Sequence, residues 1–319
     1  MSKWIALVLG LLTFANPSFA QTYPSKPIRW IVPFTAGSTS DTVCRILQPE
    51  LSRLLGQFVV IENRPGAGGS LGTTEGAKAA PDGYTVTYAS SSAFATNVHL
   101  MRLAYRPVED FAPVSMIGAT PYVLVAHPSV EANTVRELIA FAKAQPGKLS
   151  YASPGNGTGS HLSMESFKAT TKTDIKHIPY KGSSPAVVDL VAGHVQLLFE
   201  PVASVGPHVK SGKLKALAVG SDKRIAKLPE VPTFSEAGIE EFEPVLGWFG
   251  AAVPSGTPPE IVATLNAAFV TALDTVRARL TDELGIIVRP TAPEKFGEFI
   301  RSEIPRFGKI IAVSGIKVD

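Results

Sequence analysis

Three short stretches concentrate the residue types that can hold an anion without a cationic side chain. The first is Phe34-Thr35-Ala36-Gly37-Ser38-Thr39-Ser40-Asp41, the second Ser90-Ser91-Ser92, and the third Ser153-Pro154-Gly155-Asn156-Gly157-Thr158-Gly159-Ser160, followed by His161. Each lies between an apolar run of strand length and a helical pattern. A helix N-terminus carries unpaired N–H groups and about half a positive charge, so such a turn can cradle a carboxylate or phosphate. Glycine lets backbone approach a ligand closely, and the hydroxyls add donors.

Sharper catalytic motifs fare worse. Gly68-Gly69-Ser70-Leu71-Gly72 matches the G-x-S-x-G elbow of serine hydrolases, but Glu62 to Gly68 separate Ser70 from the preceding strand run, where an elbow needs its serine at the strand end. Leu71 stands where a dinucleotide fingerprint starting at Gly66 requires its third glycine. The six histidines, His99, His127, His161, His177, His194 and His208, show no short metal-ligand spacing, and a single cysteine, Cys44, excludes disulfides and Cys-rich metal centres. No metal and no cofactor are expected. His161 is set apart by entering a helix directly after the Gly-rich turn. Bonding to its own backbone and contact with a ligand are both open to it.

The elements that must position these turns follow from the hydrophobic pattern. Ile28 to Phe34, Val59 to Ile61, Thr85 to Ala89, Leu149 to Ser153, Ile175 to Pro179, Val195 to Phe199 and Leu214 to Val219 read as strands, alternating with longer helical stretches. This is the signature of βα units and predicts mainly parallel sheets in an α/β fold. Thr134-x-x-Glu137, Thr257-x-x-Glu260 and Thr291-x-x-Glu294 each read as a capping box at a helix start. A length of 319 residues, with 45% hydrophobic and 18% charged residues, suits about two globular domains. The formal net charge of +3, without a Lys/Arg-rich run, gives no footprint for nucleic acid or an acidic membrane surface. At the start, Lys3, the apolar run Trp4 to Phe14 and Ser18-Phe19-Ala20 read as a signal peptide cleaved after Ala20, which predicts export.

An ordered series of segments carries a family resemblance over nearly the whole remaining chain. It comprises Tyr23-Pro24-Ser25-Lys26-Pro27-Ile28, Val32-Pro33-Phe34 with Gly37 and Asp41, Glu62-Asn63-Arg64-Pro65-Gly66-Ala67-Gly68-Gly69, and Pro81-Asp82-Gly83-Tyr84. Tyr180-Lys181-Gly182, Gly212-Lys213-Leu214-Lys215-Ala216-Leu217-Ala218 and Trp248-Phe249-Gly250 continue it. Together they resemble the tripartite tricarboxylate transporter substrate-binding proteins, the TctC-like or Bug family of Gram-negative periplasms. The resemblance implies a type II-like periplasmic binding protein, a Venus flytrap of two α/β domains joined by crossing strands, which captures a small organic carboxylate and hands it to a membrane permease.

On that reading Phe34 to Asp41 and Ser153 to His161 hold the ligand carboxylate, and Ser90, Ser91, Lys181, Gly182, Glu200, Trp248 and Phe249 are further candidates for lining the cleft. Two positions depart from the family pattern. Ser38 stands where members carry a second glycine, and Glu200 where many have aspartate. An acid in the cleft attracts a cationic group and repels a second carboxylate, or it is a buried, paired carboxylate. The expected domains are 21–121 with 245–319, and 122–244, in a monomer. The ligand is a di- or tricarboxylate, an aromatic acid or an amino acid. The rival readings are a ligand sensor feeding a membrane kinase and a secreted serine hydrolase using Ser70.

Overall fold

The computed structural model describes residues 23–242 and 245–314. The segment read as a signal peptide lies outside them. From the N-terminus the elements are β1 (Ile28–Val32), α1 (Thr39–Leu55), β2 (Val59–Asn63), α2 (Ser70–Ala77), β3 (Thr85–Ser90), β4 (Phe111–Thr120), β5 (Tyr122–Ala126) and α3 (Val135–Ala144). They continue with β6 (Ser150–Ser153), α4 (Gly159–Thr171), β7 (Lys176–Pro179), α5 (Ser183–Val191), β8 (Leu197–Pro201), α6 (Val202–Lys210) and β9 (Lys215–Val219). The last group is β10 (Gly247–Pro254), α7 (Pro259–Ala278), β11 (Ile287–Val288) and α8 (Pro293–Ser314).

Two sheets result, a six-stranded one ordered β11-β4-β10-β3-β1-β2 and a five-stranded one ordered β7-β6-β8-β5-β9. The chain leaves the first sheet at Thr120, enters the second at Tyr122 after a single proline, and returns between β9 and β10. Both sheets are mixed, which corrects the expectation of mainly parallel pairing. β2-β1-β3 and β7-β6-β8 are parallel, whereas β10 and β11 in one sheet and β5 in the other pair antiparallel with their neighbours. β5 and β10, which enter their sheets from the side on which the two sheets face one another, run against the βα strands, whereas β4 and β9, which leave on that side, run with them.

Burial explains why each sheet is stable. Trp30 and Val32 on one face of β1 pack with Val43 and Leu47 of α1 and with Leu265 and Phe269 of α7, with Trp30 edge-on to Phe269 at 5.2 Å. In the second half Phe199, Phe234 and Phe242 form an aromatic cluster with centroids 4.4–5.9 Å apart. Leu162 of α4 is buried with Trp248 and with Phe296 and Phe307 of α8, so the C-terminal helix ties the two halves together.

Of the three capping boxes, one forms. Thr134 accepts from the Glu137 N–H at 3.2 Å, while the Glu137 carboxylate accepts from the Asn133 N–H at 2.7 Å. Thr257 instead donates to the Pro254 carbonyl at 2.7 Å, leaving Pro258 as the cap of α7. The Thr291 hydroxyl accepts from the Met116 N–H at 3.2 Å. In both cases tertiary contacts claim a hydroxyl that local pattern assigns to the helix.

Candidate functional site

A cavity of about 70 Å3 lies between the sheets, at the C-terminal ends of their parallel strands β1, β3, β6 and β8. That end is where α/β sheets bind ligands, because helices begin there. Two of those helices aim their N-termini at the cavity. Ser38 caps α1 by accepting from the Asp41 N–H at 3.3 Å, and Thr158 caps α4 by accepting from the His161 N–H at 3.5 Å.

Each cap satisfies only part of its helix end. Among the described residues the N–H groups of Thr39 and Ser40 on α1, and of Gly159 and Ser160 on α4, have no acceptor, and all four residues line the cavity. The arrangement is two helix dipoles from opposite sheets converging on one small space. Ser38 takes φ −70° and ψ 163°, ordinary for any residue, and Gly37 carries the positive φ of 76°. Serine is therefore accommodated there without backbone strain.

The first turn is organised from behind by Asp41. Its buried carboxylate accepts from the Gly37 N–H at 2.9 Å, from Arg45 Nε at 2.9 Å and from Asn63 Nδ2 at 3.0 Å, and Asn63 also donates to the Phe34 carbonyl at 3.0 Å. Burial pushes the Asp41 carboxyl up, but these hydrogen bonds outweigh it and hold the group below its ordinary value. Its contribution to stability is thus complete at neutral pH and is lost as pH falls through that lowered value. Asp41→Ala is expected to lower unfolding stability by about 2 kcal/mol in urea titration, since the Gly37 N–H and the Asn63 amide lose their acceptor. It also weakens anion binding by releasing the turn, and Asp41→Asn, which keeps one acceptor oxygen, lies between.

The second turn rests on a column of stacked rings. His161 lies on His177 with centroids 4.3 Å apart, and His177 on Tyr151 at 4.7 Å. His161 Nδ1 accepts from the Gly157 N–H at 3.2 Å, and His177 Nε2 bonds the Ser153 hydroxyl at 2.6 Å. Burial holds both imidazoles neutral, lowering His161 to about 4 with Lys168 adding to the effect, and His177 to about 3 with His161 adding.

The residues singled out from the sequence divide accordingly. Phe34, Ser38, Thr39, Ser40, Ser90, Ser91, Thr158, Glu200 and Phe249 line the cavity. Gly37, Asp41, Ser153, Gly157 and His161 instead bond within their own turns, behind the lining residues. Thr35, Ala36, Gly155, Asn156 and Gly182 form seams where the halves touch. The Ser184 hydroxyl donates to the Ala36 carbonyl at 2.9 Å, a Cβ on Gly182 would fall 2.4 Å from Thr35, and one on Gly68 would fall 2.4 Å from the Asn156 carbonyl. Lys181 is exposed and outside the lining.

Tyr88, Thr120, Tyr122, Ser183 and Gly247 also line the cavity and were not singled out. Ser183 had a local signal, since it opens α5 after Gly182. Tyr122 and Gly247 have none, because they sit where the chain crosses between sheets. The Ser70 hydroxyl accepts from Asn97 Nδ2 at 2.8 Å and contacts Met101 Sδ at 3.9 Å, with no histidine among its hydrogen-bond partners.

Among the described residues no Lys, Arg or His lines the cavity. Its one ionisable carboxyl is Glu200, at 1% exposure. Burial pushes that group up to about 7, against the Ser183, Ser160 and Ser204 hydroxyls, which pull it back down. Glu200 Oε2 lies 3.3 Å from Ser160 Oγ, and Oε1 has no partner. The groups this space offers an anion are therefore backbone and hydroxyl donors.

Comparison with known proteins shows the family and the fold. Residues 43–316 match the model of the tripartite tricarboxylate transporter family receptor. The chain is 40% identical over 319 residues to Protein BugT of Bordetella pertussis, covering 98% of this chain and 97% of that one. Among solved structures, R. palustris Rpa4515 with adipate superposes with a TM-score of 0.90 at 34% identity, covering 93% of this chain and 100% of that one. The periplasmic binding protein BugD gives 0.88 at 33% identity, again over 93% and 100%. With a family match across most of its length and a relative this similar end to end, the chain belongs to the tripartite tricarboxylate transporter receptor family, the TctC and Bug proteins.

Proposed function

We propose that this protein is a periplasmic solute-binding protein without catalytic activity, which encloses a small organic carboxylate between two lobes and delivers it to a membrane permease of the tripartite tricarboxylate type. The observation that carries the reading is the set of four acceptor-less helix N–H groups, two from α1 and two from α4, around one cavity that no cationic side chain lines. A carboxylate supplies acceptors for both pairs at once, and only when the lobes are together. The anion therefore favours closure by its differential contacts with the closed form. Thr39 and Ser204 hydroxyls 2.9 Å apart, and the Ser184 to Ala36 bond, are the seams closure makes. In this account the lobes are 21–121 with 245–319, and 122–244, moving about the crossings near Pro121 and between β9 and β10. Met1 to Ala20 directs export and is removed after Ala20.

The test is thermal unfolding of residues 21–319 against mono-, di- and tricarboxylates, aromatic acids and amino acids. An acid at 100 times its dissociation constant stabilises the native state by about 2.7 kcal/mol, a rise of about 4 °C at this size. Absence of any shift, in protein refolded from denaturant to remove a copurified ligand, overturns the reading.

A further inference from the structure

Glu200 is the one charged group in a cavity whose other polar lining is hydroxyl and backbone. It sits on β8, opposite Val123 of β5, with Ser160 of α4, Ser183 of α5, Ser204 of α6 and the phenol of Tyr122 as its polar surroundings. None of these supplies a positive charge. Its Oε2 contacts Ser160, whose single hydroxyl proton is already directed at the Phe199 carbonyl, and its Oε1 has no partner while fully buried. A buried carboxylate oxygen left without a donor is costly unless something that enters the cavity completes it.

We propose that Glu200 reads the second polar group of the ligand, and that the protein selects a zwitterionic amino acid, with an ammonium group placed to meet Glu200 Oε1, over a dicarboxylate of the same length. The inference rests on the carboxylate-binding reading above and narrows it. Charge accounting carries it. The ligand carboxylate brings one negative charge into a small enclosed space that already holds Glu200, with no cation in the wall. A second ligand carboxylate adds to this excess, and a neutral far end leaves it unchanged. An ammonium group alone offsets it while donating to the unpartnered oxygen.

The experiment is calorimetric titration with pairs that differ only at the far end: malonate against β-alanine, succinate against 4-aminobutyrate, and adipate against 6-aminohexanoate. It is run at pH 8, above the raised value of the Glu200 carboxyl. In at least one pair the amino member is expected to bind tenfold or more tightly than its dicarboxylate. In Glu200→Gln, which keeps the shape and removes the charge, that preference falls at least tenfold. The wild-type comparison stands even if the variant does not fold. Dicarboxylates that bind wild-type protein as tightly as their amino partners in every pair that binds overturn this inference and leave the carboxylate reading intact. Binding of neither series, nor of any other acid in the thermal panel, overturns both.

Discussion

Gly159→Val is expected to raise the dissociation constant of the acid that stabilises the wild-type protein by about 100-fold or more, a loss of about 2.7 kcal/mol. Gly159 is the first residue of α4, and its N–H is one of the four that line the cavity without an acceptor. A Cβ there would fall 2.2 Å from the Tyr122 hydroxyl and 2.5 and 2.6 Å from its ring atoms. On the other side a Cβ at Gly247 would fall 2.5 Å from the same hydroxyl, so the phenol is wedged between two glycines. Its backbone cannot give way, being paired to Pro201 in the sheet and bonded through its carbonyl to the Gly220 N–H at 2.7 Å. The ring must then swing into a cavity of about 70 Å3 or force the lobes apart. Overpacking of this kind costs about 1–3 kcal/mol of stability, so the variant folds while its site is occluded. Calorimetry with circular dichroism as the folding control separates the two effects, and unchanged affinity would remove α4 from the site.

The second large effect is expected on acidification. His161 and His177 are held neutral by burial, with folded values of about 4 and 3 against an unfolded value of about 6.5. Between those limits the unfolded chain binds more protons than the native one, so stability is complete above about pH 6.5 and falls as pH is lowered. At pH 5 the pair accounts for a loss of about 3–4 kcal/mol relative to pH 7, of which Glu200, whose raised folded value makes stability rise over the same range, offsets about 2 kcal/mol. The neighbouring charges are Glu165, which bonds the Tyr151 hydroxyl at 2.6 Å, and Lys168, which pairs with Glu165 at 2.6 Å. Their opposite signs leave burial as the dominant cause. Urea unfolding at pH 7 and pH 5 measures the net change, and His177→Asn should make the pH 5 value less unfavourable by about 2 kcal/mol relative to wild type. An equal slope in wild type and variant would place the acid sensitivity elsewhere. Because the His161 ring accepts the Gly157 N–H, the same protonation loosens the second turn and weakens ligand binding.

The two cradles were legible because they depend on local chemistry. Ser38-Thr39-Ser40 and Thr158-Gly159-Ser160 each combine a capping hydroxyl with a run that opens a helix, and the preceding strands read as apolar runs. The organisation behind them was less legible. Gly157 and His161 stand beside one another in sequence as if both faced a ligand, yet the imidazole takes the Gly157 N–H for itself. Asp41 likewise draws the Gly37 N–H away from the cavity. Those outcomes depend on a ring stack and on Asn63, both supplied from elsewhere in the chain. Tyr122 and Gly247 were invisible for a similar reason, since each gains its place only when two sheets are brought together. Thr257 and Thr291 show the reverse case, a correct local pattern overridden by a tertiary hydrogen bond.

The most direct test of the central claim is a crystal structure of residues 21–319 with the acid that gives the largest thermal shift. The account predicts its carboxylate oxygens between the N–H groups of Thr39 and Ser40 on one side and of Gly159 and Ser160 on the other, in direct contact or through ordered water. A carboxylate bound away from both helix ends, or held by a lysine or arginine brought in from outside the cavity, would contradict it.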